Sequence, residues 1–377
     1  MISTIIILAL VLGILIFVHE LFHFAFAKME KMRVEEFGIG YPPRIVGVYK
    51  SGNKKKLFFG AKTPETKSTI YSLNWIPFGG FTKIFGMEER EEEEGSFFTK
   101  SIGARARVVF AGVFGNIILA GVLFSIAFSL GLPQQIEKEI PNGAMDVGVQ
   151  IISISENSPA DNAGIKLGDR ISRMETSKQK IEVKEVSDVQ NFTEENIDFP
   201  IILTIKRGKK TAEYEVIARK NPPEGEGSIG VALARTARVS YPLHTSIVKG
   251  FEAIFFSIKS MLSAFYEIIN NFIFGKETSG LKVLGPIGIG SHVSQMAELG
   301  FVYVVQFTAI FSINLVILNL LPFPALDGGY LLLLLLEKVR KKPVKIETEN
   351  RINQIGIVFL IILMITITFK DIYGLIF

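Results

Sequence analysis

Phe17–Phe26 reads FVHELFHFAF. Whether this stretch crosses a membrane or sits in a soluble helix decides the fold, because it sets two histidines and a glutamate inside an apolar block running from residue 2 to about residue 27. The chain has four histidines in 377 residues, and two of them, His19 and His23, stand here four apart. Such a pair shares one helix face, about 6 Å apart along the axis. Both imidazoles can then reach one metal ion, with Glu20 beside the first of them and within reach of water at that metal. Ionisable groups in hydrocarbon are costly and face a protein interior or a wet cavity. That cost points to a working site.

The rest of the chain agrees with a membrane reading. Hydrophobic residues make up 48% of it and the mean hydropathy is +0.36, too apolar for an ordinary soluble enzyme. Long apolar blocks recur at 108–132 and 355–369, and a further block at 301–321 is interrupted by Asn314 and Asn319 and followed by prolines. The first block lacks a basic leader and an A-x-A-like cleavage site, so it reads as a retained span. Cysteine is absent, which excludes disulfides, thiolate ligands and a cysteine nucleophile. The net charge of +4 is modest, and no nucleic-acid partner is expected. Its distribution is more telling: fifteen Lys/Arg lie in 28–107, and Lys338, Arg340, Lys341, Lys342, Lys345 and Arg351 follow the third span. The positive-inside rule makes both loops cytoplasmic, leaving the termini and the 133–300 region outside.

About four transmembrane helices are therefore expected: 1–27, 105–132, 301–336 with a break near its end, and 355–371. Residues 28–104 carry strand character between Gly and Pro punctuation. In that region YSLNWIPFGGF, with the only tryptophan, suggests a hairpin dipping toward the membrane from the cytoplasmic side, or else a small cytosolic sheet. EEREEEEG at 88–95 reads as a solvated linker without chemistry. Residues 145–220 form an inserted extracytoplasmic α+β domain in which SPADNAGIKLGDRI resembles a PDZ domain, a fold that binds chain ends at a sheet edge or, alternatively, only shields a site here. Residues 241–274 place apolar side chains at helical spacing among lysines and glutamates, the pattern of an amphipathic helix on the membrane surface.

A catalytic zinc usually takes three protein ligands. His244 and His292 lie in the outside region, so the third ligand should be a carboxylate at the depth of His19, roughly 25 Å along its helix. Asp327, after the helix-breaking Pro322 and Pro324, falls at that depth. A second reading makes Asp327 no more than the cap of the following helix.

With those residues in place, the chain resembles the site-2 protease family of intramembrane zinc metalloproteases, in its bacterial branch with a regulator-of-sigma-E protease. The resemblance rests on H-E-x-x-H in the first span, FGIGYPPRI (Phe37–Ile45), IPFGGF (Ile76–Phe81), AGVFGN (Ala111–Asn116), one PDZ domain, GPIGI (Gly285–Ile289), and N-x-x-P-x-x-x-L-D-G from Asn319 to Gly328. It implies that His19, His23 and Asp327 hold one zinc per chain, that Glu20 is the general base, and that Asn319 helps to hold substrate. It further implies that the hairpin edge containing Trp75, Pro77, Phe78, Gly79, Gly80 and Phe81 positions an unwound substrate strand. Val113 and Tyr330 depart from common family residues and bear on substrate preference.

The implied function is cleavage within the transmembrane segment of single-span membrane proteins, such as an anti-sigma factor or a remnant signal peptide, in a bacterial cytoplasmic membrane. Two other readings remain at this point. A catalytically inactive membrane PDZ scaffold would not need all of His19, Glu20, His23 and Asp327. A metal transporter would spread polar residues over several depths, whereas here they cluster at one.

Overall fold

The computed structural model describes residues 2–376 apart from 88, 137–139, 142, 224 and 275–284. The chain opens with α1 (Ile2–Met29), whose last turn carries Lys28 against the helix dipole. It continues into β1 (Val34–Ser51), β2 (Lys54–Phe59) and β3 (Ile70–Ile84), then α2 (Ile102–Leu130), which starts at a Ser101 cap on the Ala104 amide and stops at left-handed Gly131. The second sheet is built from β4 (Leu132–Gln135), β5 (Met145–Ile154), β6 (Arg170–Glu175), β7 (Lys180–Glu182), β8 (Pro200–Arg207), β9 (Lys210–Ile217) and β10 (Val231–Val239). Between them lie α3 (Pro159–Asn162) and α4 (Val186–Glu195). The chain then runs through α5 (Leu243–Phe274), α6 (Pro286–Leu299), α7 (Phe301–Leu320), α8 (Asp327–Arg340) and α9 (Ile346–Ile376).

Among the described residues α1, α2, α7 and α9 are long and apolar enough to cross a membrane. Large side chains such as Ile5, Leu10, Val358 and Ile362 stay exposed on α1 and α9, as expected of helices that lipid covers. The central helix is α2. It packs on α1, α5, α7 and α8, and small residues allow the close approach: a Cβ at Gly115 would enter the Phe22 ring of α1, and one at Gly121 the Phe251 ring of α5.

The first sheet has the order β2-β1-β3, and β1 bends back on itself, so that Glu36–Ile39 run alongside Ile70–Leu73 while the rest of the β1–β3 ladder is antiparallel. Its early residues, Phe37–Ile39, pair with both halves of β3, and its later residues, Val46–Val48, pair with Tyr71–Leu73. The Gly80–Ile84 half of β3 is thereby left as an outer strand beside α1. There Gly79 lies against Ile16 of α1, so the hairpin tip reaches the apolar part of that helix.

The second sheet has the order β4-β10-β5-β6-β8-β9, with β7 on β6. Val149, Ile171, Met174, Phe192, Ile201 and Leu203 form its core. It reaches beyond the 145–220 block, because β10 pairs with both β4 and β5 and so closes the domain with strands from either side. Two further expectations are corrected. The 241–274 helix does not lie free on a surface: Gly250 meets Ser125, and Ile254 is buried with Ala120 and Phe124 of α2 and Ile313 of α7. Part of the apolar stripe, Ile254, Ile258, Met261 and Phe265, is used for helix packing, while Phe255 and Leu262 stay exposed. The 88–95 run, of which Glu88 lies outside the described residues, is also more than a solvated linker. Arg90 pairs with Glu349 at 3.0 Å and donates to the Val344 carbonyl, while Glu93 meets Arg33 at 3.3 Å. The segment is docked, with Phe97 buried behind it.

Candidate metal centre

The H-E-x-x-H segment is helical within α1, so His19 and His23 point the same way with ring centroids 4.6 Å apart. The opposing wall is α2. A Cβ on Gly112 would collide with His23 Nε2 and His19 Cε1, so only glycine admits both rings here. The His23 Nδ1–H donates to the Val108 carbonyl at 2.8 Å, which leaves Nε2 as the lone-pair nitrogen.

Asp327 arrives from the far side of the bundle. After α7 ends at Leu320 the chain turns tightly through Leu321–Leu326, with Ala325 in the left-handed region and its amide on Asn353 Oδ1 at 3.1 Å. Gly328 and Gly329 press against the backbone of Leu320–Phe323, where side chains have no room. Asp327 is the first residue of α8. The cap position belongs to Leu326, with no side-chain capping bond, so the cap reading of Asp327 fails. Its carboxylate turns to the histidines instead.

Asp327 Oδ2 lies 3.2 Å from His19 Nε2 and 3.5 Å from His23 Nε2, and the two ring nitrogens are 3.1 Å apart. Ligands at zinc bond lengths in a tetrahedron stand about 3.3 Å apart. With neutral imidazoles these atoms face one another lone pair to lone pair, and Asp327 Oδ2 is buried without a hydrogen-bond partner. A cation among them resolves that conflict, so His19, His23 and Asp327 fit a metal ion. Glu20 shares the helix, and its backbone carbonyl accepts from the Thr82 hydroxyl of β3 at 2.8 Å. Burial pushes the Tyr41 hydroxyl up, and the nearby Glu20 adds to the shift, so Tyr41 stays a neutral donor at neutral pH.

The other expected residues lie around this centre. Trp75 is 67% exposed, and Pro77 and Phe78 are also exposed at the hairpin tip; Gly79 and Gly80 are buried, and the Phe81 ring packs under Gly38. Asn319 is half-buried in the last turn of α7, where its side chain has no hydrogen-bond partner among the described residues. Asn116, the last residue of AGVFGN, also reaches this centre. Asn116 is fully buried on α2, its Nδ2 is 3.5 Å from His19 Nδ1, its Oδ1 is unpartnered, and its backbone carbonyl accepts from Ser312 of α7 at 2.8 Å. The spacing of Gly112 and Asn116, four apart on one helix face, was the available signal.

A two-histidine, one-carboxylate cluster walled by membrane helices, with a glutamate between the histidines, defines a membrane-embedded metallopeptidase. The chain belongs to peptidase family M50, the site-2 proteases, whose sequence profile matches residues 7–363. A Clostridium acetobutylicum protein, which its name assigns provisionally to the zinc metalloproteases, is 32% identical over 98% of this chain and 97% of its own length. The regulator of sigma-W protease RasP of Bacillus subtilis is 27% identical over 99% of each chain. The chloroplastic membrane metalloprotease ARASP of Arabidopsis thaliana is 29% identical over 96% of this chain and 77% of its own. Among solved structures, a PDZ domain of an SdrC-like protein from Listeria monocytogenes matches 24% of this chain and 90% of its own at 18% identity, with a TM-score of 0.20. The chain is a zinc metalloprotease of the membrane. The inactive-scaffold reading falls with that assignment.

Proposed function

We propose that this chain hydrolyses a peptide bond inside the transmembrane segment of single-span membrane proteins, with His19, His23 and Asp327 holding one zinc ion and Glu20 as general base. The observation that carries the reading is the convergence of the three ligand atoms within 3.5 Å, with Glu20 on the same helix. Zinc, when bound there, supplies Lewis acidity that activates water and polarises the scissile carbonyl. Glu20 takes the proton of the attacking water and returns it to the leaving amine.

A helical substrate hides its amides and must unwind, and an unwound chain in hydrocarbon needs hydrogen-bond partners. The outer Gly80–Ile84 strand offers them beside Glu20, with Trp75, Pro77 and Phe78 at the hairpin tip and Asn319 helping to hold the substrate. Asn116 belongs to the same machinery. A half-turn of its amide brings the orphaned Oδ1 to the His19 Nδ1–H, which holds the ring with Nε2 toward the metal.

The charge of the loops supports a zinc site near the cytoplasmic face of a bacterial cytoplasmic membrane, with the termini and the PDZ domain outside. There the PDZ domain acts as a size filter that admits substrates already trimmed of bulky ectodomains, or as a receptor for their new chain ends. Anti-sigma factors and remnant signal peptides have that form.

The test is cleavage of a tagged single-span substrate in liposomes by the wild type and by Glu20→Gln, with zinc quantified in both. Cutting by the wild type alone, at about one zinc per chain in each, supports the reading. Equal cutting by both would overturn the role of Glu20, and absence of metal from a folded preparation would overturn the ligand set.

A further inference from the structure

A cavity lies away from the metal centre, where the domain built on the second sheet meets the ends of α2 and α7. It encloses about 570 Å³. Arg207, Lys209 and Lys210 of the β8–β9 hairpin and Arg238 of β10 line it on one side, and Leu299 and Phe301 at the α6–α7 corner on the other. The walls are fitted to each other. A Cβ on Gly208 would strike the Glu298 carbonyl and one on Gly168 the Leu299 side chain, while Gln150 donates to the Tyr303 hydroxyl at 3.2 Å.

The charges in this lining do not cancel. Arg207 is held by Asp169 through two bonds of 2.6 Å. Arg238 donates to the Gly131 carbonyl at 3.3 Å and sits 3.6 Å from Asp146. The one carboxylate in the lining, Glu298, is 3.7 Å from Lys166. Lys209 and Lys210 are exposed, and neither has a carboxylate partner among the described residues. The apolar side has the opposite character: Phe301 is 70% exposed and begins a membrane helix. A ligand that satisfies both sides is an anion attached to hydrocarbon.

We propose that this cavity binds the phosphate of an anionic phospholipid. The phosphodiester sits between Lys209, Lys210 and Arg238, and the acyl chains follow Phe301 down α7 into the bilayer. A polybasic surface attracts anionic lipid by about 1 kcal/mol per cation without any pocket. The cavity adds what a surface lacks, a saturable site of fixed stoichiometry. Because its walls come from the PDZ domain and from the helix bundle, the bound lipid also ties the domain to its seat.

The test uses the full chain in neutral detergent, with binding read by native mass spectrometry. Three probes are compared: short-chain phosphatidylglycerol, short-chain phosphatidylcholine, and inorganic phosphate. One saturable phosphatidylglycerol per chain is expected, about tenfold or more tighter than phosphatidylcholine, and weakened about tenfold or more by Lys209→Glu with Lys210→Glu. Phe301→Ser should weaken phosphatidylglycerol while leaving any phosphate binding unchanged. Unaltered phosphatidylglycerol binding in the lysine double variant would overturn the site. Inorganic phosphate binding as tightly as the lipid would overturn the lipid and leave an anion site. Zinc content and circular dichroism of each variant report that it is folded.

Discussion

Thr82 of β3 donates its hydroxyl to the backbone carbonyl of Glu20 at 2.8 Å, pinning the outer strand of the first sheet to the helix that carries His19 and His23. The strand proposed to receive substrate and the residue proposed as general base therefore share one fixed point.

Thr82→Val keeps the β-branched shape and deletes that point. A hydrogen bond of this kind is worth about 1 kcal/mol, so kcat/KM on a single-span substrate should fall about fivefold. Zinc content should stay at the wild-type value. A parallel loss of zinc would mean that the pin supports the ligands rather than the strand.

Gly112→Ala drives a methyl group into both imidazoles. Overpacking of this sort costs about 1–3 kcal/mol. The competition Kd for zinc, measured against a chelator, should rise by about ten- to a hundredfold while the helical content of the chain is retained.

Asn116→Ala removes the partner proposed for His19 Nδ1. Loss of a hydrogen-bonding partner behind a ligand lowers metal affinity by about ten- to a hundredfold. Asn116→Asp restores an acceptor and should recover most of it. Equal loss in both variants would assign Asn116 to helix packing alone.

Arg105 of α2 makes a two-bond pair with Glu337 of α8, at 2.5 and 3.1 Å, in a largely buried setting. Removing one partner of such a pair costs about 3–5 kcal/mol, whereas replacing both with apolar residues is often neutral. Arg105→Ala should lower the thermal midpoint sharply and loosen Asp327, which begins α8; Arg105→Met with Glu337→Leu should recover most of the midpoint.

The parts legible in the sequence were those set by local rules. Apolar length marked α1, α2, α7 and α9, the four-residue spacing joined His19 to His23, and the break at Pro322 and Pro324 delivered Asp327 to matching depth. Pairing between distant segments was not legible. Nothing local tells β1 to fold back around β3, or β4 and β10 to close the PDZ sheet from outside the 145–220 block, because register is decided by partners far away in the chain. The stripe on α5 looked the same whether it met lipid or the small residues of α2, and only Gly121 and Gly250 separate the two. Arg90 was hidden inside a run of glutamates whose composition suggested solvent. Asn116 was visible as a letter in a motif, but its meaning depends on its approach to the His19 ring, which appears only when α1 and α2 are seen together.

His19 and Asp327 meet across nearly the whole length of the chain. During synthesis the histidine pair is made first, and Asp327, the third ligand proposed, follows only after α2, the second sheet, α5, α6 and α7 have been made. A half-built chain therefore lacks a complete metal site and is chemically harmless to its neighbours. Order of manufacture acts as a safety catch, and proteolytic power is withheld until the bundle has closed.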